Sequence, residues 1–338
     1  MRKLFKLLFL IVLIAGLWLA YGLLLPVKPK QDTFVLLRPG WTTRHIATEL
    51  KDAGMIRSVN AFLLWHYVVH PKSLKAGEYK FERAANTVDI HRRLASGDIF
   101  KREVVIPEGF NMFDIANAIE AAGLGSHDEF LKAARSNVTL ISDLDPDAKT
   151  LEGYLFPDTY EFTRTQTMGD MAAAMVRRFR QEARAIGLMS IENSQAANAL
   201  NIHRIVTMAS IVEKETAAPE ELPMVASVYY NRLSKNMLFG ADPTVIYAAM
   251  LDGRYRGTIY ASDLAYDSRY NTYKYPGLPP GPIANPGRAS LEAALHPADT
   301  QYLFFVSDNN GHHRFARSAN EHNRNVALYR RAVAANHQ

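Results

Sequence analysis

From Leu7 to Leu25 the chain is an uncharged apolar run, and Arg2, Lys3 and Lys6 precede it. Nineteen residues at about 1.5 Å each span roughly 28 Å, close to the ~30 Å of a bilayer's hydrocarbon core. A cleaved signal peptide is the competing assignment. Its apolar region is shorter, about 7–15 residues, and ends in small side chains, whereas this run continues into Leu23-Leu24-Leu25-Pro26. The pattern therefore predicts a retained transmembrane helix over 7–25 with residues 1–6 in the cytoplasm. The basic N-terminal end sets that orientation by the positive-inside rule, with Lys28 and Lys30 as a weaker counterweight beyond the span.

Beyond the span, two segments align without gaps: VLLRPGWTTRHIATELKDAGM (Val35–Met55) and VVIPEGFNMFDIANAIEAAGL (Val104–Leu124). Each reads as a short strand, a glycine turn and an amphipathic helix stopped by glycine. Ile46 matches Ile115, Ala47 matches Ala116, and Gly40 and Gly54 match Gly109 and Gly123, as expected of a duplicated unit. Between the copies the pattern predicts a helix over Ser58–Val69, a strand over Gly77–Phe81 and a helix opened by Asn86 or Thr87. Residues 32–103 thus form a small α+β module. After the second copy come helices over His127–Arg135 and Gly169–Gly187, the latter with Met171, Met175 and Phe179 inward. Asp242-Pro243 and Asn285-Pro286 look like helix starts, a capping side chain before a first-turn proline. Tyr302–Val306 and His313–Arg317 read as a hairpin across Asn310-Gly311, and a basic helix closes the chain. No low-complexity linker divides 104–338, which is taken as one mixed α/β domain.

Composition narrows the chemistry. A chain of 338 residues, 48% hydrophobic and 22% charged, is globular and not disordered. Its net charge of +5 suits an acidic polymer, an anionic membrane or nucleic acid. The absence of cysteine excludes disulfides and thiolate chemistry. No P-loop, GxGxxG or HExxH occurs, and Ser210, Ser227 and Ser262 lack a nucleophile-elbow setting. His296, His312, His313 and His322 cluster near the C-terminus, but neighbours on a strand point to opposite faces. No metal site or cofactor is expected.

One stretch stands out. SIVEKETAAPE (Ser210–Glu220) follows a run apolar enough for the core, yet carries Glu213 and Glu215. By helical spacing Glu215 shares a face with Val212, Ile211 and Met208, while Glu213 lies beside Ala209 and Ser210. Pro219 ends the helix soon afterwards. A carboxyl partly desolvated at a helix end has its pKa raised and suits general acid catalysis. A carboxylate paired with a cation, or turned to solvent at a frayed end, fits the same spacing. The loop RYNTYKYPGLPPGPIANPG (Arg269–Gly287) offers Tyr270, Asn271, Tyr273 and Tyr275, flat faces and hydrogen bonds of the kind sugars need, or a rigid loop.

Taken in order behind one N-terminal anchor, EGYLFPDTYEF, MASIVEKET, VASVYYNRL, ADPTVIY, YNTY and GLPPGPIANPG closely resemble the membrane-bound endolytic murein transglycosylases, the YceG-like (MltG) family. The resemblance runs essentially the whole chain. It implies a LysM-like module at 32–103 and a catalytic domain at 104–338. It also implies endolytic cleavage between MurNAc and GlcNAc with 1,6-anhydroMurNAc ends, releasing or terminating nascent strands. The catalytic glutamate of the family falls on Glu215. Glu152, Tyr160, Asn231, Asp242, Thr244, Tyr247, Asn271 and Tyr273 match its motifs and are the expected substrate-binding residues. The implied location is the cell inner membrane, single-pass, with the catalytic domain periplasmic. Its partners would be glycan strands and peptidoglycan synthases, with no nucleic acid. In place of the Ser-Glu-Arg of many relatives this chain has AAPEELP, which leaves that loop's details open. Two rivals stand beside this: a membrane-anchored glycan-binding or recruitment protein without catalysis, and a hydrolase pairing Glu215 with a second carboxylate such as Asp242.

Overall fold

A computed structural model describes residues 1–193 and 201–336. The chain forms two compact units, Met1–Glu103 with Glu161–Thr167, and Val104–Tyr160 with Met168–Gln338. The architecture is mixed α and β, with small two-stranded sheets set among helices.

The first unit opens with the apolar helix α1 (Arg2–Leu24), most of whose side chains are exposed. Strand β1 (Thr33–Leu37), helix α2 (Thr43–Asp52), helix α3 (Val59–Leu64), strand β2 (Gly77–Phe81) and helix α4 (Thr87–Ser96) follow. β1 pairs antiparallel with β2, from Thr33 opposite Phe81 to Leu37 opposite Gly77. Val35, Leu37, Ile46, Leu50, Phe62, Tyr79, Phe81, Ile90 and Leu94 close the core between sheet and helices. The helix expected over Ser58–Val69 is not uniform: after Leu64 it widens into a π-helical turn, Trp65–Val69. That turn brings His66 inward, where its Nδ1 lies 3.0 Å from Nε2 of His91.

Strand β3 (Arg102–Ile106) pairs with β4 (Asp158–Phe162). Between them lie α5 (Met112–Ala121) and α6 (His127–Ser136). The two sequence copies fold alike. Val35 and Val104 sit on β1 and β3, and α2 and α5 follow a glycine with positive φ, Gly40 at 83° and Gly109 at 75°. Both helices end the same way, with Gly54 and Gly123 left-handed and Met55 and Leu124 donating back five residues to Leu50 and Ile119. These caps satisfy the last carbonyls of each helix.

The rest of the second unit is α7 (Met168–Ala185), α8 (Ile202–Glu213), α9 (Leu222–Ser234), α10 (Asp242–Leu251), the short α11 (Ala261–Leu264), α12 (Arg288–Leu295), the hairpin β5 (Phe304–Ser307) with β6 (His313–Ala316), and α13 (Ala319–Asn336). α8 packs against α9 and α12, and Ile205, Val206, Met208, Ala209, Ile211 and Val212 are all buried. The two proline-linked caps are not as expected. Asp242 belongs to α10 itself and makes no capping bond; its Oδ1 accepts from the Tyr273 hydroxyl at 2.6 Å instead. Asn285 lies before α12, whose cap is Gly287, and is fully buried. Its amide bridges Phe110 O and Glu152 Oε1, while its oxygen accepts from Leu155 N. An Asn-Pro pair satisfies distant backbone as readily as a helix end, and only the tertiary fold separates the two uses.

Candidate active site

α8 starts on Asn201, whose side chain accepts from Arg204 N, and stays helical to Glu213. Its ladder then tightens: Lys214 N donates to Ile211 O and Glu215 N to Val212 O, three residues back instead of four. Glu215 therefore stands two residues past the helix end yet keeps to its apolar side. The three charged residues of the stretch part ways here. Glu213 Oε2 accepts from Gly287 N at 2.9 Å, and Lys214 Nζ donates to Gly109 O at 3.1 Å. Both bonds hold glycine turns, and at Gly287 even a methyl group would strike the Glu108 carboxyl. Glu215 turns inward.

The Glu215 residue as a whole is half-buried, but its Oε1 is fully buried and has no hydrogen-bond partner. Removal from water pushes its pKa up to about 7, because the neutral acid loses less by leaving solvent than the carboxylate does. The Tyr229 side chain opposes the shift, the Asp242 charge adds to it, and Arg232 opposes it again. Tyr229 and Arg232 lie three apart on α9 and so share a face. Arg232 is fixed by bonds to Leu303 O and Phe239 O. Tyr273 closes the group from the loop after α11. It is 39% exposed, which marks the side of the group that meets solvent.

The other expected residues fall into two sets. Glu152 is 2% exposed, and both its oxygens accept from Met112 N at the start of α5, Oε1 also from Asn285. Burial pushes it up to about 8, against the pull of Met112 N and Tyr247. Glu152 and the buried Tyr247 contribute to a cleft of about 560 Å³ that Asp145, Lys149, His203 and Tyr270 also line. Glu215 is not among the lining residues. The acid on the cleft, Glu152, has both oxygens engaged, whereas Glu215, outside its lining, keeps Oε1 unpartnered.

The second set consists of braces. Asn271 is fully buried and gives both amide hydrogens to Leu264 O and Tyr266 O. Thr244, equally buried, bonds Ala241 O and Thr272. Asn231 donates to Thr300 O and Tyr302 O, and the Tyr160 hydroxyl donates to Phe156 O. In all four these donors go to atoms of the protein itself, and the bonds shape the loops. Sequence reasoning passed over Tyr229 and Arg232. The signal was present as an i, i+3 polar pair within VASVYYNRL, but only the packing of α9 against α8 connects it to Glu215.

Comparison with known proteins gives the family. Residues 35–328 match the YceG-like family. The chain is 34% identical over 338 residues to an endolytic murein transglycosylase of Bacillus subtilis, covering 94% of this chain and 91% of that protein. It is 29% identical to an endolytic murein transglycosylase of Streptococcus pneumoniae, covering 95% of this chain and 64% of the longer relative. A crystal structure of a YceG-like protein from Listeria monocytogenes superposes with a TM-score of 0.58 at 32% identity, over 87% of this chain and 99% of that one.

Proposed function

The chain belongs to the YceG-like family, and from that premise we infer that it is an endolytic murein transglycosylase whose proton-handling group is Glu215. The observation that carries this is the Glu215 carboxyl, buried, with one oxygen unpartnered and a pKa near neutrality. An acid with its pKa near the working pH is protonated often enough to donate and basic enough to take a proton back. The non-enzymatic recruitment reading gives no reason to keep such a group.

The reaction balances on this one carboxyl. Protonated Glu215 gives its proton to the glycosidic oxygen as the bond to C1 of the muramic acid breaks, and the other sugar leaves with a hydroxyl. Glu215, now a carboxylate, takes the proton of the same muramic acid's C6 hydroxyl as that oxygen bonds to C1. A 1,6-anhydro end forms, no water is consumed, and Glu215 is protonated again. The attacking group is part of the substrate, so the second step has an intramolecular advantage. Asp242, oriented by the 2.6 Å bond it accepts from the Tyr273 hydroxyl, supplies negative charge toward the oxocarbenium-like centre that develops at C1. Tyr229 and Arg232 favour the carboxylate after the first transfer.

Placement follows the same reading. α1 spans the inner membrane with its basic end in the cytoplasm and the remainder in the periplasm. The first unit acts as a LysM-like module on glycan, and the enzyme works beside peptidoglycan synthases to cut nascent strands. Digestion of purified peptidoglycan by the full chain in detergent, with mass spectrometry of the new ends, tests the chemistry. Anhydro ends on internal fragments, absent with Glu215→Gln, are the expected result. Ends heavier by one water would replace the mechanism with hydrolysis through a second carboxylate, and Asp242 would be the first to mutate.

A further inference from the structure

Outside the active site, the end of α3 exposes more apolar surface than a soluble surface needs. Leu64, Tyr67, Val68 and Val69 are 44, 62, 69 and 52% exposed within one turn-and-a-half of helix. Single exposed aliphatics are ordinary, whereas a contiguous group marks a surface that meets an apolar phase.

The position of this group is tied to α1. Gly22 and Leu23 are buried against α3 and α4, and a methyl group on Gly22 would lie 2.8 Å from Ala61 Cβ. Thr87 Oγ1 donates to Gly22 O at 2.7 Å, and Arg57 donates to Pro26 O while its guanidinium lies over the Tyr21 ring. Val27 bridges to Ala85. From Ala61 to Val68 the helix advances about 10 Å. The apolar group thus lies within about 10 Å, along the helix, of the place where Ala61 meets the end of α1.

Beside it lies a cleft of about 490 Å³ lined by Trp65, His70, Lys72, His91 and Arg92 among others. Lys72 and Arg92 are cationic, and Arg92 is paired with Asp89 at 3.0 Å. The Trp65 indole Nε1 is buried without a partner. His66 and the lining His91 have their pKa values lowered by burial, His91 pushed down to about 4. Tryptophan and tyrosine beside lysine and arginine are the side chains that settle at a membrane–water boundary.

We propose that Leu64, Tyr67, Val68 and Val69 insert into the bilayer interface, with an anionic lipid headgroup held in the adjoining cleft by Lys72, Arg92 and Trp65. This rests on α1 being the membrane anchor. It adds a second, reversible membrane contact, which sets the first unit down on the lipid surface. A bilayer fits this surface better than a second copy, because the apolar group adjoins the end of the anchor and the flanking charge is basic.

The chain has no cysteine, so single-cysteine labelling of the full protein is clean. Fluorophores at Leu13→Cys, Val68→Cys and Lys51→Cys are to be compared in nanodiscs carrying a lipid-borne quencher, made with phosphatidylcholine alone or with added phosphatidylglycerol. Quenching at Leu13 and Val68 but not Lys51 is expected, with Val68 quenched more strongly in the anionic discs. Lys72→Ala and Arg92→Ala are each expected to weaken the interfacial partition about fivefold, the effect of one basic residue near an anionic surface. Quenching at Leu13 with Val68 no different from Lys51 overturns the inference and leaves the anchor standing. Absence of quenching at Leu13 removes the anchor and this inference with it. Equal quenching of Val68 in both lipid mixtures overturns the headgroup site.

Discussion

Two glutamates of the second unit hold protons near neutral pH, and the fold uses them in opposite ways. Glu152, pushed up to about 8, has both oxygens engaged, by Met112 N at the start of α5 and by Asn285. Glu215, pushed up to about 7, keeps one oxygen without a partner beside a solvent-facing tyrosine. Burial raises both, so a perturbed pKa alone does not identify the acid catalyst. What distinguishes Glu215, the proposed reactive group, is an oxygen the protein leaves uncommitted. Glu152 joins three stretches of chain that are far apart in sequence; Glu215 meets the Tyr229 side chain and leaves its Oε1 free of any partner.

The sharpest break in this comparison is a matched pair of amides. Glu215→Gln removes the transferable proton and is expected to lower turnover by at least about 10²–10⁴-fold, with unfolding by urea unchanged or slightly more difficult. Glu152→Gln is expected to leave turnover of the folded protein within a small factor. Equal losses of turnover in the two variants would erase the distinction. Truncation is the next test. Glu152→Ala strands Met112 N and the Asn285 amide in the interior and is expected to cost about 2–4 kcal/mol in a denaturant titration.

The dependence on pH follows with its sign. Both carboxyls titrate higher in the fold than in the unfolded chain, where glutamate sits near 4.3. Between that value and the folded pKa the unfolded chain has lost protons that the fold retains, so stability falls as pH rises. It is greatest below about 4.3 as far as these two groups are concerned, declines through about 7 for Glu215 and about 8 for Glu152, and levels off beyond. The declining limb from 7 to 8 disappears in Glu152→Gln. Turnover, by contrast, follows Glu215 alone and is expected to fall above about pH 7. Asp242→Asn removes a charge that holds the Glu215 pKa up and moves that limb toward lower pH. The smallest effect is expected from Tyr273→Phe, which releases Asp242 from its 2.6 Å bond and costs turnover only severalfold, with KM changing more than stability.

Much of the fold was legible because periodic patterns report burial. The duplicated strand–glycine–helix unit, the α7 face of Met171, Met175 and Phe179, and the apolar side of α8 that carries Glu215 all rest on local spacing. What spacing does not give is the partner of a polar group. Asn231, Thr244 and Asn271 are polar residues in motifs, and a sequence does not say whether a polar group meets a ligand or a carbonyl of its own chain. Each of the three donates to a carbonyl of its own chain. Asp242 and Asn285 were misplaced as helix caps for the same reason. Tyr229 and Arg232 needed α9 laid against α8 before they could be seen beside Glu215. The π-helical turn at Trp65–Val69 had no local signal; it goes with His66 turning inward to a histidine 25 positions away.

The joint at Gly22 has a mechanical consequence. Because Ala61 presses on Gly22, Thr87 and Arg57 grip the backbone from Gly22 to Pro26, and Val27 is stitched to Ala85, α1 is not a slack cord. A torque on the helix is carried into the β1–β2 sheet, and the first unit turns as the helix turns. Inserting a few glycines after Leu25 would convert that stiff shaft into a swivel, with every residue of the catalytic machinery left in place.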